Sequence, residues 1–279
     1  GDNVSPNPER KHRPPYPEAG VTNEVTRDKP PPTCEDVEAT LAFARAEGMA
    51  ILPRGGGTSQ CGQTVNHALV IDTSRHLNRI LELDVAGRRC LVEPGIVLDE
   101  LNRQLKPHGL WFPVDVSTSS RATIGGMAGN NSCGGRSIRY GMMRDNVTAI
   151  DAILSDGSQA RFGDLDTTAA TGLLADLQPR LLEMGAAHAQ DILEGFPKVL
   201  RRVGGYNVDA LMPDAMALRP GGTPGDGINP SHLLVGSEGT LAFSTAIELK
   251  LWPLPAKKLM GLSLTTATTV SGSSSLKSG

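Results

Sequence analysis

Between residues 34 and 255 the spacing of apolar positions changes repeatedly, and each change predicts an element. From Glu35 to Gly48, Val37, Leu41 and Ala44 recur on one helical face, and Gly48 closes the helix. The short apolar run from Met49 to Leu52 predicts a strand that follows it. Leu69 to Ile71, Ile80 to Leu83 and Cys90 to Glu93 read as further short strands, with the polar stretch from Asp84 to Arg88 as a turn. Val97, Leu98, Leu101 and Leu105 mark one face of a helix that stops before Pro107. Val147 to Leu154 predicts a strand, and Asp156-Gly157 turns it into a hairpin with Gln159 to Phe162. Residues 167–202 read as mostly helical, with Leu173, Leu174, Leu177, Leu181, Leu182 and Met184 as the buried faces. After a Pro/Gly-rich loop from Met212 to His232, strands are expected at Leu233 to Val235 and Leu241 to Leu251. Helices mixed with hairpins predict an α+β domain of two lobes rather than a doubly wound sheet.

The two ends lack this patterning. Residues 1–33 hold eight of the twenty prolines and almost no apolar period, which predicts an extended or disordered arm. From Ser263 to Gly279 twelve residues are Ser, Thr or Gly, and the stretch from 259 reads as a ragged tail.

Composition narrows the function classes. With 27 Lys+Arg against 30 Asp+Glu the chain carries a net charge of −3, no basic field that would concentrate nucleic acid. No apolar run approaches the ~18 residues of a membrane span, and the first thirty residues lack the apolar stretch of a signal peptide. The expectation is a soluble, cytoplasmic protein. Cys34, Cys61, Cys90 and Cys133 are spaced too widely for a metal knuckle and read as free thiols. His12, His67, His76, His108, His188 and His232 form no HxH or HxxxH pair, so no metal site is expected.

Candidate chemistry sits in three glycine-rich segments. In the first, Pro53, Arg54, Gly55, Gly56, Gly57, Thr58 and Ser59 follow a strand; three glycines let backbone N–H groups converge on an anion with no Cβ in the way. A side chain at Gly56 is therefore expected to fill the anion's space. The loop is neither a GKS/GKT phosphate loop nor a GxGxxG turn. The second segment, from Pro113 to Gly141, interleaves Gly125, Gly126, Gly129, Gly134, Gly135 and Gly141 with Ser, Thr and Asn. It is too polar for core and too rich in glycine for a stable helix, so it is expected to wrap a polar ligand as a loop. The third is Leu234 to Phe243, where Gly236 and Gly239 bracket Ser237 and Glu238. One long ligand touching all three explains them together.

In this order PRGGGTS, STSSRATIGGMAGNNSCGGRSIRYG and LVGSEGTLAF followed by LKLWPLP resemble the FAD-linked oxidoreductases of the vanillyl-alcohol oxidase or p-cresol methylhydroxylase type. The likeness covers roughly Pro32 to Pro255 and is greatest to the bacterial D-2-hydroxyacid dehydrogenases acting on D-lactate or D-2-hydroxyglutarate. FPKVLRRVGGYNVDAL, from Phe196 to Leu211, supports it. The resemblance implies a two-lobed FAD-binding domain over 34–258, with a helical insertion at about 167–232. It also implies the residues that hold FAD: Arg54, Gly55, Gly56, Gly57, Thr58 and Ser59 at the pyrophosphate, with Gln60, Gly62 and Gln63 just beyond. Asp115, Ser117, Thr118, Ser119, Thr123, Gly125, Gly126, Asn130, Asn131 and Ser132 line the dinucleotide and flavin. Val147 and Ile150 flank the adenine side, and Glu238 lies in the segment returning to the flavin.

Three departures modify what the resemblance implies. Thr58 stands where some relatives carry the histidine that tethers FAD, so the flavin is expected to be non-covalent. The proline-rich arm replaces the usual first portion. The cap domain that supplies substrate-binding and often metal-ligating residues is expected near Leu259 and is read as absent. A 2-hydroxyacid substrate and an electron acceptor are the partners implied for the complete enzyme. Arg201, Arg202 and Tyr206, and likewise Arg136 and Arg139, are candidates for the flavin edge or a substrate carboxylate, against a plain surface role. Cys133 reads as a packing residue. The alternatives are a truncated FAD-binding module without turnover and the flavin subunit of a molybdenum hydroxylase.

Overall fold

The computed structural model describes residues 33–165, 168–199, 201–212 and 227–256. The proline-rich arm up to residue 32, the loop at 213–226 and the tail read from 259 lie outside the described residues.

Helix α1 spans Cys34–Ala46 and opens on a reciprocal cap: the Asp36 N–H donates to Thr33 Oγ1 and the Thr33 N–H to Asp36 Oδ2, each at 3.2 Å. It closes with the Met49 N–H on the Ala44 carbonyl at 2.8 Å and Gly48 at φ 63°. That closure delays the extended backbone, so β1 occupies Ile51–Arg54 rather than the expected 49–52. It pairs in parallel with β2, Leu69–Asp72, from Ile51 opposite Leu69 to Arg54 opposite Asp72.

Five further strands form the main sheet: β3 (Ile80–Asp84), β4 (Arg89–Val92), β6 (Val147–Ile153), β7 (Gln159–Phe162) and β8 (Phe243–Lys250). Their order is β3-β4-β8-β6-β7 and every pair is antiparallel. The β6–β7 hairpin turns as expected, with Gly157 at φ 89° and the Ser158 N–H on Asp156 Oδ1 at 2.8 Å. Two-residue strands β5 (Leu110–Trp111) and β9 (Trp252–Pro253) pair alongside. An antiparallel sheet beside a separate parallel pair is the α+β arrangement read from the sequence.

Helix α2 (Leu98–Leu105) covers the sheet with Leu98, Leu101 and Leu105, which join Val92, Phe112, Ile124, Met143, Ile150, Ile247 and Leu249 in the larger core. A smaller core of Val37, Ile71, Leu77, Ile153 and Phe243 ties α1 and β2 to the ends of β6 and β8.

Three expectations need correction. The stretch from Gly125 to Gly141 is not a plain loop: it contains α3 (Ile124–Gly129) and α4 (Ser137–Tyr140), with α5 (Met143–Asn146) following. Thr123 Oγ1 caps α3 by accepting from the Gly126 N–H at 3.4 Å, and a Cβ on Gly125 would sit 2.7 Å from the Pro94 Cβ. Glycine there permits close packing of helix on turn. Leu233 to Val235 is not a strand, because Pro230 and an Asn229 side chain accepting from the Ser231 N–H start a short helix, α8 (Ser231–Leu234). Helices α6 (Leu173–Ala187) and α7 (Ala189–Gly195) are present, but among the expected buried faces only Leu174 is buried and Met184 is 39% exposed. Helix α6 meets the larger core through Leu173 and Leu174 and the 3-10 turn at Val208–Leu211 through Gly185, which abuts the Leu211 backbone; Leu177, Leu181 and Leu182 are half-buried.

Candidate functional site

The first glycine segment leaves β1 at Arg54, whose guanidinium is held across the parallel pair by Asp72 at 3.0 Å. Gly57 turns the chain at φ 62°. From Gly55 to Ser59, no backbone N–H donates to a protein acceptor among the described residues. All five residues line a cleft of about 410 Å³. The glycines at 55 and 56 have a different reason from the one expected. A Cβ on Gly56 would lie 2.2 Å from the Arg121 carbonyl oxygen, and one on Gly55 1.9 Å from Thr123 Oγ1. The loop rests on the Arg121 and Ala122 backbone and the Thr123 side chain, and the side-chain space at Gly56 is filled by protein rather than by a ligand.

The other two segments complete the lining. Ser117, Thr118, Thr123, Gly125, Gly126, Asn130 and Ser132 line the same cleft, with Gln63, Ile150 and Glu238. The Gly236 and Glu238 N–H groups donate to the Ala128 and Gly129 carbonyls at 2.9 Å each, and Asn130 Nδ2 donates to Glu238 Oε1 at 2.8 Å. The Gly125 N–H is engaged by the Pro94 carbonyl at 2.7 Å. This wall therefore offers hydroxyls and amides, while the first segment offers bare backbone donors.

Several expected residues stand outside the wall. Gln60 and Gly62 are solvent-exposed beyond it. The Asp115 carboxylate accepts from the Arg136 N–H at 3.0 Å and supports the loop from behind. Ser119 lies in a turn, its N–H on the Val116 carbonyl. Asn131 is fully buried at φ 48°, its side-chain oxygen accepting from the Arg144 N–H. Val147 is buried in the larger core and does not line the cleft.

The cleft also takes in Thr73, Cys133, Val203 and Ser237, which the motif reading did not assign to it. Ser237, Cys133 and Val203 sit inside recognised segments, whereas Thr73 has no motif signal. The candidate cations lie elsewhere. Arg202 donates to Asp209 at 2.6 Å, Arg201 to the Gly134 carbonyl at 3.2 Å, and Arg136 and Arg139 stack over Trp111 and Tyr140. Tyr206 shares a hydrogen bond with Thr240 at 2.8 Å.

Among the lining residues the charged side chains are Arg54 and Glu238, both hydrogen-bonded within the protein, and no histidine is present. The Gln63 Oε1 acceptor is buried against the cleft and has no partner among the described residues. Among those residues no group of three or more His, Cys, Asp or Glu is placed to hold a metal, and no helix is long and apolar enough to cross a membrane. Outside the cleft, burial and then the Glu248 charge push the Cys90 thiol up to about 12.

Residues 30–163 match the sequence model of the FAD binding domain family. The chain is 37% identical over 218 residues to a D-2-hydroxyglutarate dehydrogenase of Pantoea ananatis, an alignment covering 76% of this chain and 20% of that protein. It is 28% identical over 225 residues to a D-lactate dehydrogenase of Archaeoglobus fulgidus, covering 80% of this chain and 38% of that protein. The alignments to four of the D-2-hydroxyglutarate dehydrogenases it matches cover about a fifth of those proteins. Among solved structures, an alkyldihydroxyacetonephosphate synthase superposes with a TM-score of 0.53 at 21% identity, covering 81% of this chain and 34% of that one. That likeness is one of fold.

Proposed function

We propose that this chain is the FAD-binding part of an FAD-linked oxidoreductase and holds FAD non-covalently for the oxidation of a D-2-hydroxyacid. The observation that carries the proposal is the row of five N–H groups from Gly55 to Ser59 without a protein acceptor among the described residues, in a cleft lined also by hydroxyls and amides. A dinucleotide has phosphate acceptors for such a row and imide, amine and hydroxyl donors for an orphaned acceptor such as Gln63 Oε1. Bound FAD would supply the electron sink for hydride removal from the hydroxyacid.

This chain's own residues bind and orient. Gly55 to Ser59 would hold the pyrophosphate; Thr118, Thr123, Asn130 and Ser132 would meet ribityl and ring polar atoms; Ile150 would pack against an apolar edge. Thr58 and its neighbours contain no imidazole, which supports non-covalent attachment. A hydroxyl proton must leave with the hydride, and a base within hydrogen-bond reach must take it. Glu238, tied to Asn130, is the one carboxylate in the cleft wall. The substrate's carboxylate, the base and the electron acceptor are therefore proposed to engage residues beyond those described, in keeping with an alignment that covers 20% of the relative.

The test is reconstitution. The purified chain mixed with FAD and desalted should keep visible flavin bands at close to one equivalent. Added D-2-hydroxyglutarate or D-lactate with an artificial acceptor should give turnover well below the ~1 s⁻¹ of an ordinary enzyme. Colourless protein after desalting, with no FAD binding in titration, would refute the cofactor assignment. Turnover at enzyme rates would refute the division of labour.

A further inference from the structure

Directly behind the wall formed by the second and third glycine segments lies a buried charge cluster that ligand binding, as argued above, does not use. Asp209 and Arg144 are each 2% exposed at the side chain and meet at 2.7 Å between Oδ2 and Nη1. The other carboxylate oxygen, Oδ1, accepts from Arg202 Nη2 at 2.6 Å. Arg144 Nη1 also donates to Asn207 Oδ1 at 3.3 Å. Each partner reaches a different stretch of cleft wall. The Arg144 N–H donates to Asn131 Oδ1 at 3.1 Å, which fixes the residue between Asn130 and Ser132. Asn131 Nδ2 donates to the Arg202 carbonyl, the residue before cleft-lining Val203. Asn207 Nδ2 donates to the Val235 carbonyl at 2.7 Å, at the entry to Gly236, Ser237 and Glu238.

We propose that Asp209 is a positioning residue for the flavin site: one buried carboxylate, acting through two arginines and Asn131, sets the wall that Asn130, Ser132, Val203 and Glu238 present to FAD. The proposal rests on the cofactor reading given above. Three physical points carry it. A buried ion pair contributes little to stability compared with well-packed apolar residues, so its use lies in specifying geometry. Charge-assisted hydrogen bonds in a buried, low-dielectric cluster couple the groups they join, so removing the shared carboxylate shifts several wall residues together. Asn131 holds a left-handed backbone at φ 48°, a conformation that persists where surrounding bonds over-determine it, and two of those bonds lead to Asp209 through Arg144 and Arg202. The segment from Val199 to Leu211 thereby acquires a role although, among its described residues, Val203 alone reaches the cleft.

The experiment compares FAD dissociation constants, by flavin fluorescence titration, for the wild-type chain, Asp209→Asn and the double variant Asp209→Leu with Arg144→Met. Thermal unfolding is followed in parallel, and Leu249→Ala, buried in the larger core away from the cleft, serves as a matched destabilised control. Asp209→Asn is expected to weaken FAD binding about tenfold or more and to change the visible circular dichroism of bound flavin. The control should lose thermal stability and keep FAD affinity. The apolar double variant should recover stability without recovering affinity, which separates positioning from support. If Asp209→Asn or the double variant, folded at the assay temperature, binds FAD as tightly as wild type with the same spectrum, the inference is overturned and the cofactor reading stands. If wild type itself binds no FAD, the cofactor reading falls and the inference with it.

Discussion

Replacing Gly56 with Ala tests the first glycine segment at its tightest point. The added Cβ would lie 2.2 Å from the Arg121 carbonyl oxygen, 3.0 Å from its carbon and 3.5 Å from the Ala122 nitrogen. All three are backbone atoms, so no side chain can swing aside. The 55–59 loop and the 121–122 backbone must part by about 1 Å to reach ordinary van der Waals contact. Strain of that kind costs about 1–3 kcal/mol of folding stability, which for a chain of this size lowers the midpoint by about 2–10 °C. The effect on the cofactor is larger. A 1 Å shift misaims the N–H row, and a hydrogen bond to a charged phosphate is worth about 1.5–3 kcal/mol. Losing two such bonds weakens FAD by about 10²- to 10⁴-fold.

The assay is FAD titration followed by flavin fluorescence, with far-UV circular dichroism and a thermal melt establishing that the variant is folded. Gly62→Ala is the control. Gly62 has φ 85° but nothing within 4 Å of a built Cβ, and it stands outside the cleft wall. It should lose about 1 kcal/mol of stability through backbone strain and keep FAD affinity. A folded Gly56→Ala chain binding FAD within about threefold of wild type would refute the placement of the pyrophosphate on this loop, since less than 1 kcal/mol would separate them.

Two further outcomes follow from the cleft. Acid precipitation of the reconstituted chain should release the flavin fully into the supernatant, because Thr58 offers no ring nitrogen for a covalent link; colour in the washed pellet would show a tether. Thiol modification should distinguish three cysteines: exposed Cys61 labels at once, Cys133 in the cleft wall labels slowly once FAD is bound, and buried Cys90, held protonated to about 12, stays unlabelled until unfolding. Equal labelling of Cys133 with and without FAD, read by peptide mass, would place the cofactor elsewhere.

The elements that the sequence announced best are those whose pattern is local. The capped helix before Gly48, the Asp156-Gly157 hairpin and the Leu98-Leu101-Leu105 face depend on residues a few positions apart, and the structure holds them within a residue or two. The three glycine segments were also legible, because glycine is needed wherever backbone meets backbone or backbone meets ligand. The reason for an individual glycine was not. At Gly56 and Gly125 the neighbours that forbid a Cβ are Arg121 and Pro94, dozens of residues away, and no local spacing records them. The same limit made α3 read as loop, since its cap on Thr123 and its packing against Pro94 outweigh the low helix propensity of its glycines.

Long-range polar pairing explains the remaining gap. Asp115, Asn131, Arg202 and Tyr206 are the residue types that contact ligands, and in a glycine-rich context they were read as ligand-facing candidates. In the structure each has a protein partner: Asp115 the Arg136 N–H, Asn131 the Arg144 N–H, Arg202 the Asp209 carboxylate and Tyr206 the Thr240 hydroxyl. A buried polar group must find a partner, so a polar residue beside a site either serves the ligand or serves the wall that shapes it. Sequence spacing cannot separate these roles, because the partners of Asn131 and Asp209 lie 13 and 65 residues away. What separates them is whether the polar atom is already engaged. By that criterion the N–H row from Gly55 to Ser59 and Gln63 Oε1 are the groups left for the proposed ligand, whereas Asp209 and Asn131 belong to the scaffold behind Asn130, Ser132 and Glu238.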